Sequence, residues 1–431
     1  MKKTIITLWL CMACMALWAQ TAREEIHANI QRAGSNYLAY PAPTAKLSAA
    51  PKGYEPCYIS HYGRHGSRYL IAPEDYEAPY QALSRADKRG VLTPLGHDVL
   101  ERVSKMRDES NLRLGELTPL GAQQHREIAH RMYERFPQVF AGRVNVDAKS
   151  TVVIRCILSM ENALQELKSL NPQINVTHDA SEHEMWYMNH NDRELTALRW
   201  NIDTHTAYRN LCKKHINNDR LINSLFTDTD YVKRHINADD LCYRLFTLAV
   251  GLQSSELSKS IQLTDIFTED EIYGYWLTEN ARWYIEFAAC PLNGATQPYS
   301  QRHLLRQMIA EADSCLAQER PGATLRFGHE SIILPLSCLL EMDVCSMEVD
   351  DLDQLADAGW ANYRIFPMGS NIQLIFYRSK KDKSDILVQA LLNENEVGLP
   401  LQPADGKDGC FYRWSDFSKY YLEKIDRYER R

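Results

Sequence analysis

The sequence predicts an α/β protein that is interrupted by a mainly helical insertion. Two short runs rich in β-forming residues, 57–62 and 323–328, each lead into a loop that begins at or next to a glycine. Between about 180 and 320, charge, Trp and Tyr are dense, apolar residues have helical spacing, and strand signals are few. The α/β part is therefore expected to be formed by two segments on either side of this stretch.

The expected division of the chain follows from these positions. Two runs with strand character, 371–378 and 385–392, flank the polar turn KKDKSD and predict a hairpin near the end of the chain. The predicted segments are a signal peptide at 1–19, the first part of the α/β core at 20–160, the insertion at 161–320 and the second part of the core at 321–431.

Two helix starts share the tetrapeptide Thr-Pro-Leu-Gly, at 93–96 and 118–121. Each places Thr at an N-cap and Pro at the first helical position. The second helix continues with Ile128, Met132 and Phe136 at four-residue intervals, which makes one apolar face. Because the flanks of the two motifs do not match, they predict similar helix caps and not a structural repeat.

Two more strands, each followed by a helix, are expected. The apolar run STVVIRCI at 150–157 predicts a buried strand, with a helix following at 160–170. A helix at 331–340 is expected directly after the strand at 323–328.

The composition is that of a globular protein, with 45% hydrophobic and 24% charged residues among 431. A formal net charge of −7 argues against general nucleic-acid binding, so an anionic ligand needs a local cluster of cations. After the N-terminal segment, no apolar run is long enough to span a bilayer. A monomer is expected.

The first residues, MKKTIITLWLCMACMALWAQ, combine two lysines, an apolar run over 5–17 and a small residue at position 19. This pattern is typical of a secretory signal peptide, and the run is too short for a spanning helix. The sequence therefore predicts a secreted or periplasmic protein. Cys11 and Cys14 leave lipoprotein anchoring as an alternative, disfavoured because the apolar run continues past Cys14.

The segment Arg64-His65-Gly66-Ser67-Arg68 follows the first predicted strand. Guanidinium groups present paired donors that match phosphate oxygens, and they stay charged at every relevant pH. A neutral imidazole nitrogen between them can attack phosphorus and divide a hydrolysis into two easier steps. By composition alone, a solvated basic loop is the simpler interpretation.

A resemblance to a known family supports the catalytic interpretation. RHGSR resembles the RHGxR signature of the histidine acid phosphatases, in the branch that includes phytases and the multiple inositol polyphosphate phosphatases. Further segments resemble that family's motifs in the same order: GELTPLGAQQHREIAHRMYERF, STVVIRCILS, LRFGHESIILPL and PMGSNIQLIFYR. The resemblance covers most of residues 54–400. It implies a phosphoglycerate-mutase-like three-layer α/β sandwich with a mainly helical inserted domain.

The resemblance also implies a role for each matching residue. His65 would be the nucleophile that forms a phosphohistidine, and Glu330 would protonate the leaving alkoxide and then activate water. The phosphate would be bound by Arg64, Arg68, Arg155 and His329, the last of which also belongs to the catalytic group. No metal or other cofactor is implied, because three Arg supply the positive charge. The implied partner is a small phosphorylated substrate, foremost an inositol polyphosphate.

The acidic residue departs from the family's pattern. The family has Asp directly after the His or, in the inositol polyphosphatases, Glu after an intervening Ala. Here Glu330 directly follows His329, and Ser331 stands where the other group has its Glu. The choice between inositol polyphosphates and sugar phosphates therefore stays open.

Other functions and residues remain as alternatives. A descendant that only binds phosphorylated ligands is disfavoured by the presence of both nucleophile and acid, and a mutase of the same fold by the secretory signal. His61 is expected to pack or to orient the loop, whereas His125 and His130 are expected at the surface or near a helix cap. An acidic cluster is expected to be a solvated loop and not a metal site: Asp179, Glu182, His183 and Glu184. Four cations of the insertion could contact outlying phosphates or be ordinary surface: Arg193, Arg199, Lys213 and Lys214.

Overall fold

The structure, a computed structural model, describes residues 21–43, 45–406 and 409–430. One mixed sheet is built from β1 Tyr54–Arg64, β2 Asn145–Ser150, β3 Asn175–Asp179, β4 Gly322–Gly328, β5 Asn371–Ser379, β6 Ile386–Leu392, β7 Asn395–Glu396 and β8 Tyr412–Arg413. The order across it is β3-β2-β4-β1-β5-β6-β7, with β8 paired to β6. Strands β3, β2, β4 and β1 are parallel, and β5 and β6 form an antiparallel hairpin beside β1.

The α-helices of the described chain lie before, between and after these strands. In chain order they are α1 Ala22–Ala28, α2 Glu74–Lys88, α3 Pro94–Ser110, α4 Pro119–Arg135, α5 Ile154–Leu170, α6 Met185–Met188, α7 Arg193–Leu198, α8 Ile202–His215, α9 Asp219–Leu225, α10 Thr229–His235, α11 Ala238–Gly251, α12 Glu269–Phe287, α13 Arg302–Leu316, α14 Glu330–Leu339, α15 Asn362–Ile365 and α16 Trp414–Glu429.

The two faces of the sheet bury different side chains, because successive residues of a strand point to opposite faces. On one face, Ile59 of β1 and Leu325 of β4 belong to a core shared with α4 and α5. On the other face, Tyr58 and Phe376 belong to a core shared with α11, α12, α13, α14 and α16. The predicted three-layer sandwich is thereby confirmed.

Most predicted elements lie where the sequence placed them, including β1, β4, the β5–β6 hairpin, α14 and the two helices that begin with Thr-Pro-Leu-Gly, α3 and α4. The strand predicted at 150–157 was wrong, because β2 ends at Ser150 and α5 begins at Ile154. Every second side chain of β2 is buried, whereas Val152 and Ile154 are exposed. The β-branched run lies just beyond the last residue of β2, and this location outweighs its preference for a strand.

The segment between β3 and β4 is helical, from α6 through α13. Residues 161–179, which the sequence analysis placed with the insertion, complete α5 and form β3 at the edge of the sheet. The signal peptide predicted at 1–19 lies outside the described residues. Within the described residues, no helix combines the length and apolarity needed to cross a membrane.

Candidate active site

Three neighbouring parallel strands, β2, β4 and β1, end at the same edge of the sheet, where the loops that follow them meet. The last residue of β1 is Arg64, α5 starts one residue before Arg155, and His329 directly follows β4. The structure brings together all six residues that the sequence predicted for the site, which are Arg64, His65, Arg68, Arg155, His329 and Glu330.

Hydrogen bonds fix the loop after β1 from three sides. The His65 N–H donates to the carbonyl of Gly328 at 2.9 Å, and the His65 carbonyl accepts from the Gly369 N–H at 2.9 Å. The Gly66 N–H donates to the hydroxyl of Ser159 on α5 at 3.1 Å. The position of His65 is therefore set by β4, by α5 and by the segment that leads into β5.

The second Thr-Pro-Leu-Gly motif is a platform for this loop as well as a helix cap. The Thr118 hydroxyl accepts from the Gly121 N–H, while the Thr118 N–H and hydroxyl donate to the Ser67 carbonyl at 2.9 and 3.1 Å. Gly66 and Gly121 lie backbone to backbone, and a Cβ atom on either would overlap the other segment. One turn along α4, Gln124 accepts from the Ser67 N–H at 2.9 Å and donates to its hydroxyl at 3.0 Å.

The His65 imidazole is buried in a defined tautomer. Its Nδ1 lies 2.9 Å from the Gly66 carbonyl oxygen, and because a carbonyl can only accept, Nδ1 carries the proton. Nε2 is then free of a proton, is buried, has no hydrogen-bond partner among the described residues, and lies 3.7 Å from Glu330 Oε2. Burial first, and then the positive charge of Arg64 and its neighbours, holds the pKa of His65 well below its usual range.

Arg64 is completely buried yet held by backbone carbonyls. Its Nη1 donates to the carbonyl of Asn36 at 2.6 Å and to that of Phe366 at 2.9 Å. Its Nε lies 3.0 Å from Glu330 Oε2. Burial lowers the pKa of this guanidinium to about 10, so it remains charged at neutral pH.

Two further guanidinium groups offer donors that the described residues leave unused. Arg68 donates from Nη1 to the Tyr69 carbonyl at 3.0 Å and lies over the Tyr37 ring, 5.4 Å from its centre. The Nε atoms of Arg68 and Arg155 are buried and have no hydrogen-bond partner in the described part of the chain. Unpaired buried donors, together with the N-termini of α5 and α14, are suited to binding an anion.

Glu330 is the first residue of α14 and is surrounded by basic groups. Burial alone would raise the pKa of its carboxyl, but the charge of Arg64, followed by His65, Arg68 and His329, holds that pKa well below its usual range. The carboxylate is therefore ionised in the ligand-free site.

His329 stands at the N-cap of α14. Burial lowers the pKa of its imidazole to about 4, so the ring is neutral at neutral pH. Its Nε2 lies 3.2 Å from the Thr151 hydroxyl, and its ring centre is 5.8 Å from that of His65. In this position the ring can share a proton with a phosphate oxygen.

A metal ion is the other ligand that the distances would permit. One ligand atom each from His65, His329 and Glu330 lie within 4.8 Å of one another. The same space is surrounded by three guanidinium groups, which repel a cation and attract an anion. The donor set therefore fits a phosphate better than a metal.

The remaining histidine predictions have mixed outcomes. His61 packs in the core, with its ring centre 5.3 Å from that of Phe327. His125 was expected at the surface or near a helix cap, which is wrong, because it is buried with its ring centre 5.6 Å from that of Phe327. His130 is half-exposed, as expected, and it pairs with Glu166 at 2.8 Å.

The other residues that the sequence singled out are exposed or have partners other than the six site residues. Most of the cluster at 179–184 is exposed, in agreement with a solvated segment. Arg199 donates to Gln297 at 3.1 Å and covers the ring of Phe287, and Lys214 pairs with Asp353. These two cations have structural partners, and Arg193 and Lys213 are exposed.

Sequence reasoning missed the groups that hold the site residues in place. They are Asn36, Tyr37, Ser67, Gln124, Thr151 and Ser159. Gln124 lies on a predicted helix and Ser159 directly before one, but a hydroxyl or an amide in such a place carries no signal of its role.

A buried, neutral imidazole whose Nε2 carries no proton, beside a carboxylate and among three guanidinium groups, defines a phosphate-handling site on an α/β sandwich. The sequence model described as "Histidine phosphatase superfamily (branch 2)" matches residues 63–393. The chain belongs to this superfamily, which makes it a histidine-type phosphatase.

Solved structures with the same fold include phosphatases of inositol phosphates. The Bifidobacterium longum multiple inositol polyphosphate phosphatase in complex with inositol hexasulfate has a TM-score of 0.77 and 17% identity, over 90% of this chain and 97% of that one. The phytase of D. castellii has a TM-score of 0.64 and 14% identity, over 93% and 86%. The Hafnia alvei phytase in complex with tartrate has a TM-score of 0.51 and 13% identity, over 87% and 98%. A search of curated proteins gave no match.

Proposed function

We propose that this protein is a phosphomonoesterase that acts through a phosphohistidine on His65. The observation that carries the proposal is the state of His65 Nε2, which is unprotonated, buried and without a partner in the described structure. The buried Nε atoms of Arg68 and Arg155 are likewise without hydrogen-bond partners in the described part of the chain. A phosphate bound by those donors places phosphorus within reach of the nitrogen.

In the first step the Nε2–P bond forms as the P–O bond to the alcohol breaks. Charge on the equatorial oxygens is balanced by the guanidinium groups of Arg64, Arg68 and Arg155. The leaving alkoxide takes a proton from Glu330. His329 donates a hydrogen bond to the transferred group.

Glu330 must gain that proton before it can give it away. Substrate phosphate brings negative charge into the Arg cluster, which offsets the field that keeps Glu330 ionised and raises its pKa. A phosphomonoester carries one proton below its second pKa of about 6, so the bound monoanion can supply the proton. In the second step Glu330 removes a proton from water, the water oxygen attacks phosphorus, and the N–P bond breaks.

Inositol polyphosphates are the proposed principal substrates, with sugar phosphates as the alternative. Support comes from the likeness to the B. longum phosphatase and the phytases. Action in the periplasm or outside the cell is also proposed, with support from the signal-peptide pattern at 1–19. A monomeric state is proposed as well.

Two measurements test the proposal. Phosphate release from inositol hexakisphosphate, compared with several sugar phosphates, ranks the substrates. Brief exposure to ³²P-labelled substrate should label the protein, with the label kept in alkaline quench and lost in acid, because phosphohistidine is acid-labile. The variant His65→Ala should not be labelled. Equal labelling of variant and wild type would exclude His65 as the nucleophile, and tight binding without turnover would favour a ligand-binding descendant.

A further inference from the structure

A buried asparagine, Asn362, is tied to both of the carbonyls that hold Arg64. These carbonyls belong to Asn36 and Phe366, which are far apart in the chain. The Asn362 carbonyl accepts from the Phe366 N–H at 3.1 Å, across the single turn of α15. Its side-chain Nδ2 donates to the hydroxyl of Ser35, the residue before Asn36, at 2.6 Å. One residue thus connects the two segments that meet at the Arg64 guanidinium.

The Asn362 amide is held in one orientation by α12. The Trp276 indole Nε1 donates to its Oδ1 at 3.1 Å, and because an indole N–H can only donate, Nδ2 must face Ser35. The Asn362 N–H donates to Oδ1 of Asn280 at 2.8 Å, and Nδ2 of Asn280 donates to the Trp360 carbonyl at 3.1 Å. Asn280 and Asn362 are fully buried. Hydrogen bonds between buried groups therefore link the helical segment between β3 and β4 to the phosphate site.

Ser35 has a backbone conformation that a glycine would adopt more easily. Its φ is 55° and its ψ is −121°, a region in which a residue with a Cβ atom is strained. Such strain persists only where the surroundings over-determine the backbone. Glycine would relieve the strain but would offer no hydroxyl to Asn362. The serine side chain therefore helps to hold the turn that presents the Asn36 carbonyl to Arg64.

The two carbonyls decide which donors of Arg64 stay available. Both accept from Nη1, at 2.6 Å for Asn36 and 2.9 Å for Phe366. The Nε atom lies 3.0 Å from Glu330 Oε2, and Nη2 is buried without a hydrogen-bond partner in the described part of the chain. Because a guanidinium is planar and rigid, two bonds at Nη1 also fix the directions of Nε and Nη2.

We infer that Asn362 is a positioning residue that, through Ser35 and α15, orients the Arg64 guanidinium for transfer of the phosphoryl group. This inference rests on the proposed phosphomonoesterase activity. Asn362 supplies neither charge nor proton. It keeps Nη2 of Arg64 directed at a bound phosphate and Nε at Glu330, so that the helical segment takes part in catalysis through two backbone carbonyls.

The variant Asn362→Ala tests this role, because it removes the bonds to Ser35 and Trp276 and leaves the charge of Arg64 in place. The attraction between that charge and a phosphate persists, so KM should change less than about threefold, the pattern of an interaction made in the transition state. The kcat of the folded enzyme should fall about 10- to 100-fold, because small displacements of groups at the reacting centre are costly. A wild-type kcat would overturn the inference.

A double-mutant cycle shows whether Asn362 acts through Arg64. Arg64→Lys keeps the charge but has no planar fork to orient. Adding Asn362→Ala to Arg64→Lys should lower kcat by less than about a further twofold, because coupled residues are not additive. Full multiplication of the two effects would overturn the inference.

Asn171→Ala is the matched control. Asn171 is also a buried amide that donates to two backbone carbonyls, those of Phe140 at 2.7 Å and Gly142 at 2.8 Å, but it stands at the end of α5 away from Arg155. Its loss should lower the stability in urea and leave kcat and KM of the folded enzyme unchanged.

Ser35→Gly provides the second variant if Asn362→Ala fails to fold. It removes the hydroxyl and lets the turn form without strain. It should lower kcat about 2- to 10-fold with KM nearly constant, as expected for the loss of one hydrogen bond that positions a reacting group. An unchanged kcat in this variant would likewise contradict the inference.

The ¹⁵N spectrum of arginine-labelled protein separates failure of the inference from failure of the proposed function. The Arg64 signals are assigned by their absence in Arg64→Lys. Rotation about the Nε–Cζ bond exchanges Nη1 with Nη2, and this exchange should be about 2- to 10-fold faster in Asn362→Ala than in wild type. Equal exchange rates would overturn the inference at any level of activity. Faster exchange in the variant, with no phosphomonoester hydrolysed by the wild type, would refute the phosphatase proposal alone.

Discussion

Glu330 is the residue whose charge must change during the proposed cycle. An alkoxide leaves slowly unless it is protonated, and a positioned carboxylic acid typically contributes about 10²–10⁴-fold. Glu330→Gln should slow the phosphorylation step by that order with an alkyl phosphate and far less with p-nitrophenyl phosphate, whose leaving group needs little protonation. Pre-steady-state bursts on the two substrates measure this difference.

Ser331→Ala is the matched control for that experiment, because Ser331 stands where the inositol polyphosphatases have their acid. It should leave both burst rates nearly unchanged. Small, equal effects of Glu330→Gln on the two substrates would mean that the proton comes from another group.

Metal independence is expected because guanidinium groups already supply the positive charge around His65. Phosphate release should stay the same within about twofold after incubation with EDTA and gel filtration. Loss of activity that Zn²⁺ or Mg²⁺ restores would instead favour a metal held by His65, His329 and Glu330.

The charged residues of the site were predictable because their side-chain chemistry is specific and they lie in short recognisable motifs. The groups that hold these residues in place were not predictable. Arg64 is bound by the carbonyls of Asn36 and Phe366, and every residue type carries a carbonyl. The buried position of His125 was accessible in principle, since it lies three residues before Ile128 on the apolar face of α4.

The two Thr-Pro-Leu-Gly helices allow packing and catalysis to be tested separately. In each, a Cβ atom on the glycine would overlap a backbone carbonyl, that of Ser67 for Gly121 and that of Leu225 for Gly96. Gly121→Ala and Gly96→Ala should therefore both lower the free energy of unfolding, by about 1–3 kcal/mol or more. Urea unfolding measures this loss.

Only Gly121→Ala should also lower the kcat of the folded enzyme, by about 10- to 100-fold, because Ser67 is two residues from His65 and small displacements of reacting groups are costly. Gly96→Ala should keep a wild-type kcat after correction for the folded fraction. Equal kcat values for the two variants would show that the contact between α4 and the loop is structural only.

At the level of strands and helices, the sequence predicted the elements that follow simple periodicity and missed a boundary set by tertiary position. Strand β2 contains Asp147 and Lys149 and looks unlike a core strand, yet its alternate residues Val146 and Ala148 are fully buried. The more apolar run after it turns outward, so that Ile154 is 71% exposed. A strand propensity averaged over a window of the sequence could not distinguish the buried strand from the exposed run after it.

Across the whole molecule, buried neutral histidines set the response of stability to acid. Burial lowers the pKa of His61 to about 3 and those of His125 and His329 to about 4. In the unfolded chain these groups titrate near 6.5. The unfolded state therefore binds more protons between pH 6.5 and about 4, so the stability that is fully present above pH 6.5 is lost as the pH falls towards 4.

Each such imidazole should contribute a slope of about 1 kcal/mol per pH unit to the free energy of unfolding between pH 5 and 6. Urea titrations at several pH values measure that slope, which does not depend on the absolute stability of a variant. His61→Phe, which keeps a ring against Phe327 but cannot be protonated, should make the slope shallower by about one such contribution.

His130→Gln is the control, because the pKa of the half-exposed His130 is raised by Glu166. Its removal should leave the slope equal or slightly steeper, and a His61→Phe slope equal to that of the wild type would mean that His61 is already protonated in the folded protein at pH 5.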